Sequence, residues 1–117
     1  MKPEHEFFPI TNVPWTPVDK RVPGLTERIL AYDPDAKVAT RILSFAKGTD
    51  TTPIGAQSHP FWEEVYVLSG SLTDLTLGRT FEAGTYACRP PRMPHGPWIA
   101  PDGCQTFEVR YVVERSQ

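Results

Sequence analysis

Cysteine, histidine and long apolar runs are the scarce features of this 117-residue chain. It has two cysteines, Cys88 and Cys104. That is too few for a disulfide-stapled framework, and they lack the Cys-x-x-Cys spacing of redox or zinc-ribbon motifs. Both are expected to be reduced, buried thiols. The longest unbroken apolar runs, Ile29-Leu30-Ala31-Tyr32 and Val65-Tyr66-Val67-Leu68, fall far short of the ~20 residues of a membrane-spanning helix, so no membrane partner is expected. Neither sign of charge dominates: Lys and Arg number 12 against 14 Asp and Glu, a net of -2. Nothing pulls the chain as a whole toward nucleic acid or anionic lipid. There is no phosphate-cradling Gly-rich loop ending in Lys-Ser or Lys-Thr and no nucleophilic serine elbow. The opening Met1-Lys2-Pro3-Glu4-His5-Glu6 carries acids and a proline where a secretory signal has basic residues and then an apolar stretch, so a cytoplasmic location is expected.

Proline, by contrast, is abundant. The 13 prolines are roughly twice the usual ~5%, and each lacks the N–H that a helix interior or central strand requires. Prolines at 3, 9, 14, 17 and 23 predict an extended N-terminal arm over residues 1–24, docked on the body or on a neighbouring subunit through Phe7, Phe8, Ile10 and Trp15. A barrel over residues 25–117 follows. Short apolar segments recur at 26–32, 38–46, 64–69, 72–77, 86–89 and 106–114, broken by turn signals such as Asp33-Pro34-Asp35, Gly70 and Asp102-Gly103. This spacing predicts an all-β single domain, a sandwich or barrel. The last segment is the clearest, with Phe107, Val109, Tyr111 and Val113 alternating with Glu108, Arg110, Val112 and Glu114 in the period of a half-buried strand. At this length a single core is feasible without a structural metal.

Two of the three histidines sit beside prolines at the ends of predicted strands. In Gln57-Ser58-His59-Pro60-Phe61-Trp62-Glu63-Glu64 an imidazole and a carboxylate flank a turn that leads into a strand. In Arg89-Pro90-Pro91-Arg92-Met93-Pro94-His95 a proline-stiffened turn presents a second imidazole. Two neutral imidazoles and one carboxylate can occupy one face of an octahedron, which suits a mid-row divalent ion such as Fe(II) with positions left for substrate and oxygen. Tetrahedral zinc is the alternative. His5, in the arm, is read as a solvated terminal residue.

The spacing of these motifs resembles that of the cupin superfamily, small double-stranded β-helix or jelly-roll barrels. Gln57-x-His59, three residues, Glu63, six residues and Gly70 follow the superfamily's first motif, except that Gln57 replaces its first histidine. Gly84, Pro90 and His95 follow the second, with Arg92 in place of a glycine and Ile99 in place of an asparagine. Pro23-Gly24, Asp33-Pro34, His59-Pro60, Glu63-Glu64-Val65-Tyr66-Val67-Leu68, Ala83-Gly84-Thr85-Tyr86, Arg89-Pro90-Pro91 and Gly103-Cys104 resemble one branch. That branch holds acetylacetone dioxygenase-like cupins and the cupin domain of zinc-binding anti-sigma factors.

The resemblance implies one divalent metal ion, Fe(II) favoured over Zn, Mn or Ni, on His59, Glu63 and His95, with the Gln57 amide oxygen as a further, weaker ligand. The same His59, Glu63 and His95 would form the catalytic centre. Glu64 rivals Glu63, but Glu63 keeps the six-residue gap to Gly70. The implied activity is dioxygenase-type oxidoreductase chemistry, cleaving a carbon–carbon bond in a small ketone or diketone. The alternatives are a non-catalytic metal or ligand sensor, and a metal-dependent isomerase, lyase or cyclase. Phe45, Tyr66, Tyr86 and Trp98 are candidate pocket residues, although aromatic residues in strands are more often core. Arg41, Arg89 or Arg110 pointing inward would hold an anionic substrate group. The expected partners are a small-molecule substrate and a second copy of the chain in a homodimer.

Overall fold

The computed structural model describes residues 1–113. Among them nine strands are present and no α-helix: β1 (Thr16–Pro17), β2 (Leu25–Asp33), β3 (Val38–Phe45), β4 (Thr49–Asp50), β5 (Trp62–Asp74), β6 (Arg79–Glu82), β7 (Tyr86–Arg89), β8 (Trp98–Ala100) and β9 (Cys104–Tyr111). The all-β expectation holds. The sheet runs β1-β2-β3-β9-β5-β8-β4, with β6 and β7 also paired to β5, and every pairing is antiparallel. Among the described residues no helix is long and apolar enough to cross a membrane.

The segment expected at 64–69 and the first half of that expected at 72–77 are one strand, β5, which runs through Gly70, while residues 75–77 are turn. Its first half lies between β7 and β9, and its second half between β6 and β8, so Gly70 marks the corner at which β5 changes partner strands. Gly70 has φ 72°, and a Cβ there would lie 2.1 Å from the Gly103 carbonyl oxygen. Backbone conformation and close approach both exclude a side chain. Strand β7 matches its predicted bounds, and β2 and β3 fall within one residue of theirs. The short strands β4, β6 and β8, of 2, 4 and 3 residues, are too short to show a period.

The segment before β2 is tied to the barrel. It contains a 3-10 turn at Ile10–Asn12, and β1 pairs with β2. Arg28 donates from Nε to the Val13 carbonyl at 2.9 Å and its guanidinium lies over the Trp15 ring at 4.2 Å. Val22 is 1% exposed and belongs to the core with Leu25, Leu43, Phe45, Val67, Leu72, Ala100 and Cys104. Within residues 1–24, Val13, Trp15–Pro17 and Val22 thus contact the barrel. Trp15 docks as expected, whereas Phe7 and Ile10 are exposed.

Strand β9 alternates, but its buried side is the polar one. Cys104, Thr106 and Glu108 are buried, while Phe107, Val109 and Tyr111 are only partly covered. The reason lies opposite: Arg41 of β3 pairs in register with Glu108, so the barrel interior carries charge that must be paired there. Glu114, expected in this strand, lies outside the described residues.

Candidate metal centre

His59 lies in the turn before β5, Glu63 is the second residue of β5, and His95 lies in the turn between β7 and β8. Two sets of backbone bonds bring the turns together. Gln57 and His95 exchange N–H···O bonds of 2.7 and 2.8 Å, and Arg92 N–H donates to the His59 carbonyl at 2.6 Å. Arg92 has φ 69°, a left-handed conformation that glycine adopts more readily. It is the same position at which the sequence departs from the cupin glycine.

Along β5, Glu63, Val65 and Val67 are buried while Tyr66 and Leu68 are exposed. The period of two therefore turns Glu63 inward and Glu64 outward, where Glu64 accepts from the Tyr86 hydroxyl. The alternation decides between the two carboxylates. One possible ligand atom from each of His59, Glu63 and His95 falls in a group spanning no more than 4.8 Å. His59 Nε2 lies 3.9 Å from Glu63 Oε2, and His95 Nε2 lies 3.7 Å from Glu63 Oε1.

The charge state of this cluster suits a cation. Burial, then the nearby charge of Arg110, lowers the His59 pKa, and burial followed by Arg89 does the same for His95. Both shifts favour the neutral ring. His95 Nδ1 is 3.2 Å from the Met93 carbonyl, which can only accept. A proton on Nδ1 leaves the Nε2 lone pair facing Glu63. His59 is stacked on Phe61 at 4.8 Å and 11°, which fixes its ring plane. The donor set of two neutral imidazoles and one carboxylate fits a divalent transition metal. Gln57 shares a face with His95 through their pairing, and its amide nitrogen donates to the Ile54 carbonyl at 2.7 Å, so the amide oxygen is the atom available to ligate.

Glu63 is held between Arg89 and Arg110, two of the arginines that the sequence offered as holders of an anionic substrate group. Arg110 Nε donates to Oε2 at 2.6 Å and Arg89 Nη1 to Oε1 at 3.3 Å. Position in register gave the signal: Arg89 and Arg110 are the partners of Glu63 on the two neighbouring strands. Phe61 stacks on His59 and also lies under the Arg110 guanidinium at 4.9 Å.

A cavity of about 430 Å³ opens beside His95. Val65, Val67, Leu72, Phe81 and Trp98 supply apolar wall, and Arg89 stands at the metal-site end. Of the expected pocket residues, Trp98 and Tyr86 border it. The expectations for Arg41, Phe45 and Tyr66 are corrected by their positions. Tyr66 is on the outward face of β5 and Phe45 is in the core. Arg41 is consumed by a buried cluster, donating to Glu27 and through Nε and Nη2 to Glu108 Oε1. Burial alone would raise the Glu108 pKa, but Arg41, then Arg110 and the Thr106 hydroxyl, hold it below the usual range. The cysteines divide. Cys104 is buried, which pushes its thiol up to about 11, but Cys88 is exposed, contrary to expectation, because it lies on the outward face of β7.

The description of the ChrR cupin-like domain matches residues 4–113. The chain belongs to this cupin family. Among solved structures, an RmlC-like cupin from Shewanella frigidimarina NCIMB 400 is 19% identical with a TM-score of 0.72, covering 97% of this chain and 96% of that one. An acetylacetone dioxygenase from Acinetobacter johnsonii is 18% identical with a TM-score of 0.71, covering 94% and 74%. The Rhodobacter sphaeroides complex of SigE with the anti-sigma ChrR gives 21% identity and a TM-score of 0.61, covering 82% of this cupin and 47% of that chain. At these identities the likeness establishes the fold. No curated protein matches the chain by sequence.

Proposed function

We propose that this cupin is a metal-dependent dioxygenase that cleaves a carbon–carbon bond in a small ketone or diketone, with Fe(II) held by His59, Glu63 and His95. The observation that carries this reading is the convergence of those three side chains, with His95 also lining an apolar cavity beside them. When bound, Fe(II) supplies Lewis acidity toward substrate oxygens and a redox partner for dioxygen. Arg110 fixes the Glu63 carboxylate through a charge-assisted bond, and Phe61 fixes the His59 ring. Val65, Val67, Leu72 and Phe81 give the substrate body a dry wall, which keeps water from competing at the reacting end. A divalent ion and Glu63 together leave one formal positive charge, matched by a diketone bound as its monoanion.

The test is metal content followed by oxygen uptake. Protein purified without a histidine tag or chelator should hold about one equivalent of iron, and acetylacetone or a longer diketone should stimulate oxygen consumption. Turnover without oxygen consumption moves the protein to isomerase, lyase or cyclase chemistry and overturns the proposal.

A second reading, a metal or ligand sensor, is favoured by the ChrR cupin-like description over residues 4–113. Tight zinc with no turnover of any diketone supports it. Exposed Phe7, Tyr66, Leu68 and Tyr86 support action as a homodimer, and a solution mass of one chain in sedimentation opposes it. The proposed setting is the cytoplasm.

A further inference from the structure

Arg89 and Arg110 both reach Glu63, but they do so differently. Arg110 binds at 2.6 Å, whereas Arg89 is at 3.3 Å, near the limit of a hydrogen bond. Arg89 also borders the apolar cavity, and its guanidinium lies 5.1 Å from the centre of the Trp98 ring. Its side chain is 13% exposed, and among the described residues Glu63 is its one ion-pair partner. Glu63 Oε1 faces both His95 Nε2, at 3.7 Å, and Arg89, so a divalent ion held by His59, Glu63 and His95 would draw on the same oxygen that Arg89 contacts. The guanidinium then stands in a largely apolar pocket with its charge short of a partner, a costly state unless the ligand carries the missing anion. Stacking on Trp98 keeps the fork in place while that partner changes.

We infer that the ligand of this cavity is an amphipathic carboxylate, its apolar body against Val65, Leu72 and Phe81 and its carboxylate on Arg89 beside the metal centre. Arg89 is then the specificity residue and Arg110 the positioning residue for Glu63. Combined with the reading above, on which this inference rests, the substrate is an oxo acid with an alkyl or aryl tail in preference to a neutral ketone. The cavity volume of about 430 Å³ accommodates a body of that kind.

The experiment uses the full chain loaded with one equivalent of Zn(II), which is redox-silent, and measures calorimetric binding of 3-phenylpropionate and of 3-phenylpropanol. The carboxylate should bind at least ~10-fold more tightly than the alcohol. Arg89→Gln should abolish that preference and leave the alcohol affinity within about twofold, which also reports an intact cavity. Equal binding of the two probes by the parent protein overturns the inference. So does a preference that survives in Arg89→Gln, because it puts the carboxylate on the metal. Zinc stoichiometry, measured on the same samples, separately tests the metal centre.

Discussion

Gln57 and His95 face each other across a two-way backbone pair, Gln57 N–H to His95 O at 2.7 Å and His95 N–H to Gln57 O at 2.8 Å. Directly opposed residues in such a pair send their side chains to the same face. Gln57 therefore shares a face with His95, and the cupin resemblance would make its amide oxygen a further ligand in place of an imidazole nitrogen. Replacing it with histidine supplies the stronger donor without changing the charge. Gln57→His should tighten metal binding by on the order of 10-fold or more, the scale at which even outer ligands matter. Competition with a fluorescent chelator measures it, and equal affinity in both forms would show that position 57 does not ligate.

His59→Ala and His95→Ala should each remove the bound metal, because each deletes one of three ligands. Arg110→Gln should keep the metal with affinity lowered ~10–100-fold, since it removes only the group that orients Glu63. Metal content by elemental analysis distinguishes the two classes. Full occupancy in either histidine variant would contradict the assigned centre.

Much of this centre was legible because it rests on local order. The His59-to-Glu63 spacing across a strand entry, and the proline turn that carries His95, are properties of short segments. Gly70 was legible as a residue and misread as a break, because a sequence shows a turn-former without showing that β5 continues past it to pair with β6 and β8. Arg41 and β9 were misread for another reason. Alternation reveals two faces, but which is inside depends on a partner strand far away in sequence, and here Arg41 makes the polar face of β9 the buried one. Arg89 and Arg110 acquire their roles only when β7 and β9 are set on either side of β5.

Gly70→Ala tests the corner directly. The added Cβ would sit 2.1 Å from the Gly103 oxygen, a backbone atom that cannot swing aside, at a φ that alanine disfavours. A loss of about 3 kcal/mol or more is expected, read as a fall in the urea midpoint at unchanged slope. Gly78→Ala, with φ 64° and nothing within 4 Å of the added atom, isolates the backbone contribution and should cost only about 1 kcal/mol.

The buried Arg41–Glu108 pair should behave asymmetrically. Glu108→Gln leaves the Arg41 charge buried with Glu27 as its remaining ion-pair partner, and the expected cost is ~3–5 kcal/mol. Arg41→Met together with Glu108→Leu removes both charges from the pair and should be less destabilising than Glu108→Gln alone. Urea unfolding of the parent, the single variants and the double variant gives the coupling energy. Simple additivity would show that the two side chains do not act as a unit.

The histidines also fix how the metal-free protein responds to acid. Their ordinary pKa is 6.5, and burial, aided by Arg110 at His59 and Arg89 at His95, lowers both in the folded state. Above pH 6.5 the rings are neutral whether the chain is folded or not, so they add no slope. As the pH falls through 6.5 the unfolded chain takes up protons first, and the unfolding free energy must decrease until the pH passes the lowered folded values. The carboxylates of Asp19, Asp33 and Asp50, lowered from 3.8, also lose stability on acidification, but only below about that pH, so the two windows separate. Urea midpoints taken in steps from pH 7.5 to 5 should therefore fall below 6.5, and His59→Asn combined with His95→Asn should flatten the fall. Stability that rises on acidification over this range would mean that the Glu63 charge outweighs burial at these rings. The cluster would then be protonated rather than kept neutral for a metal.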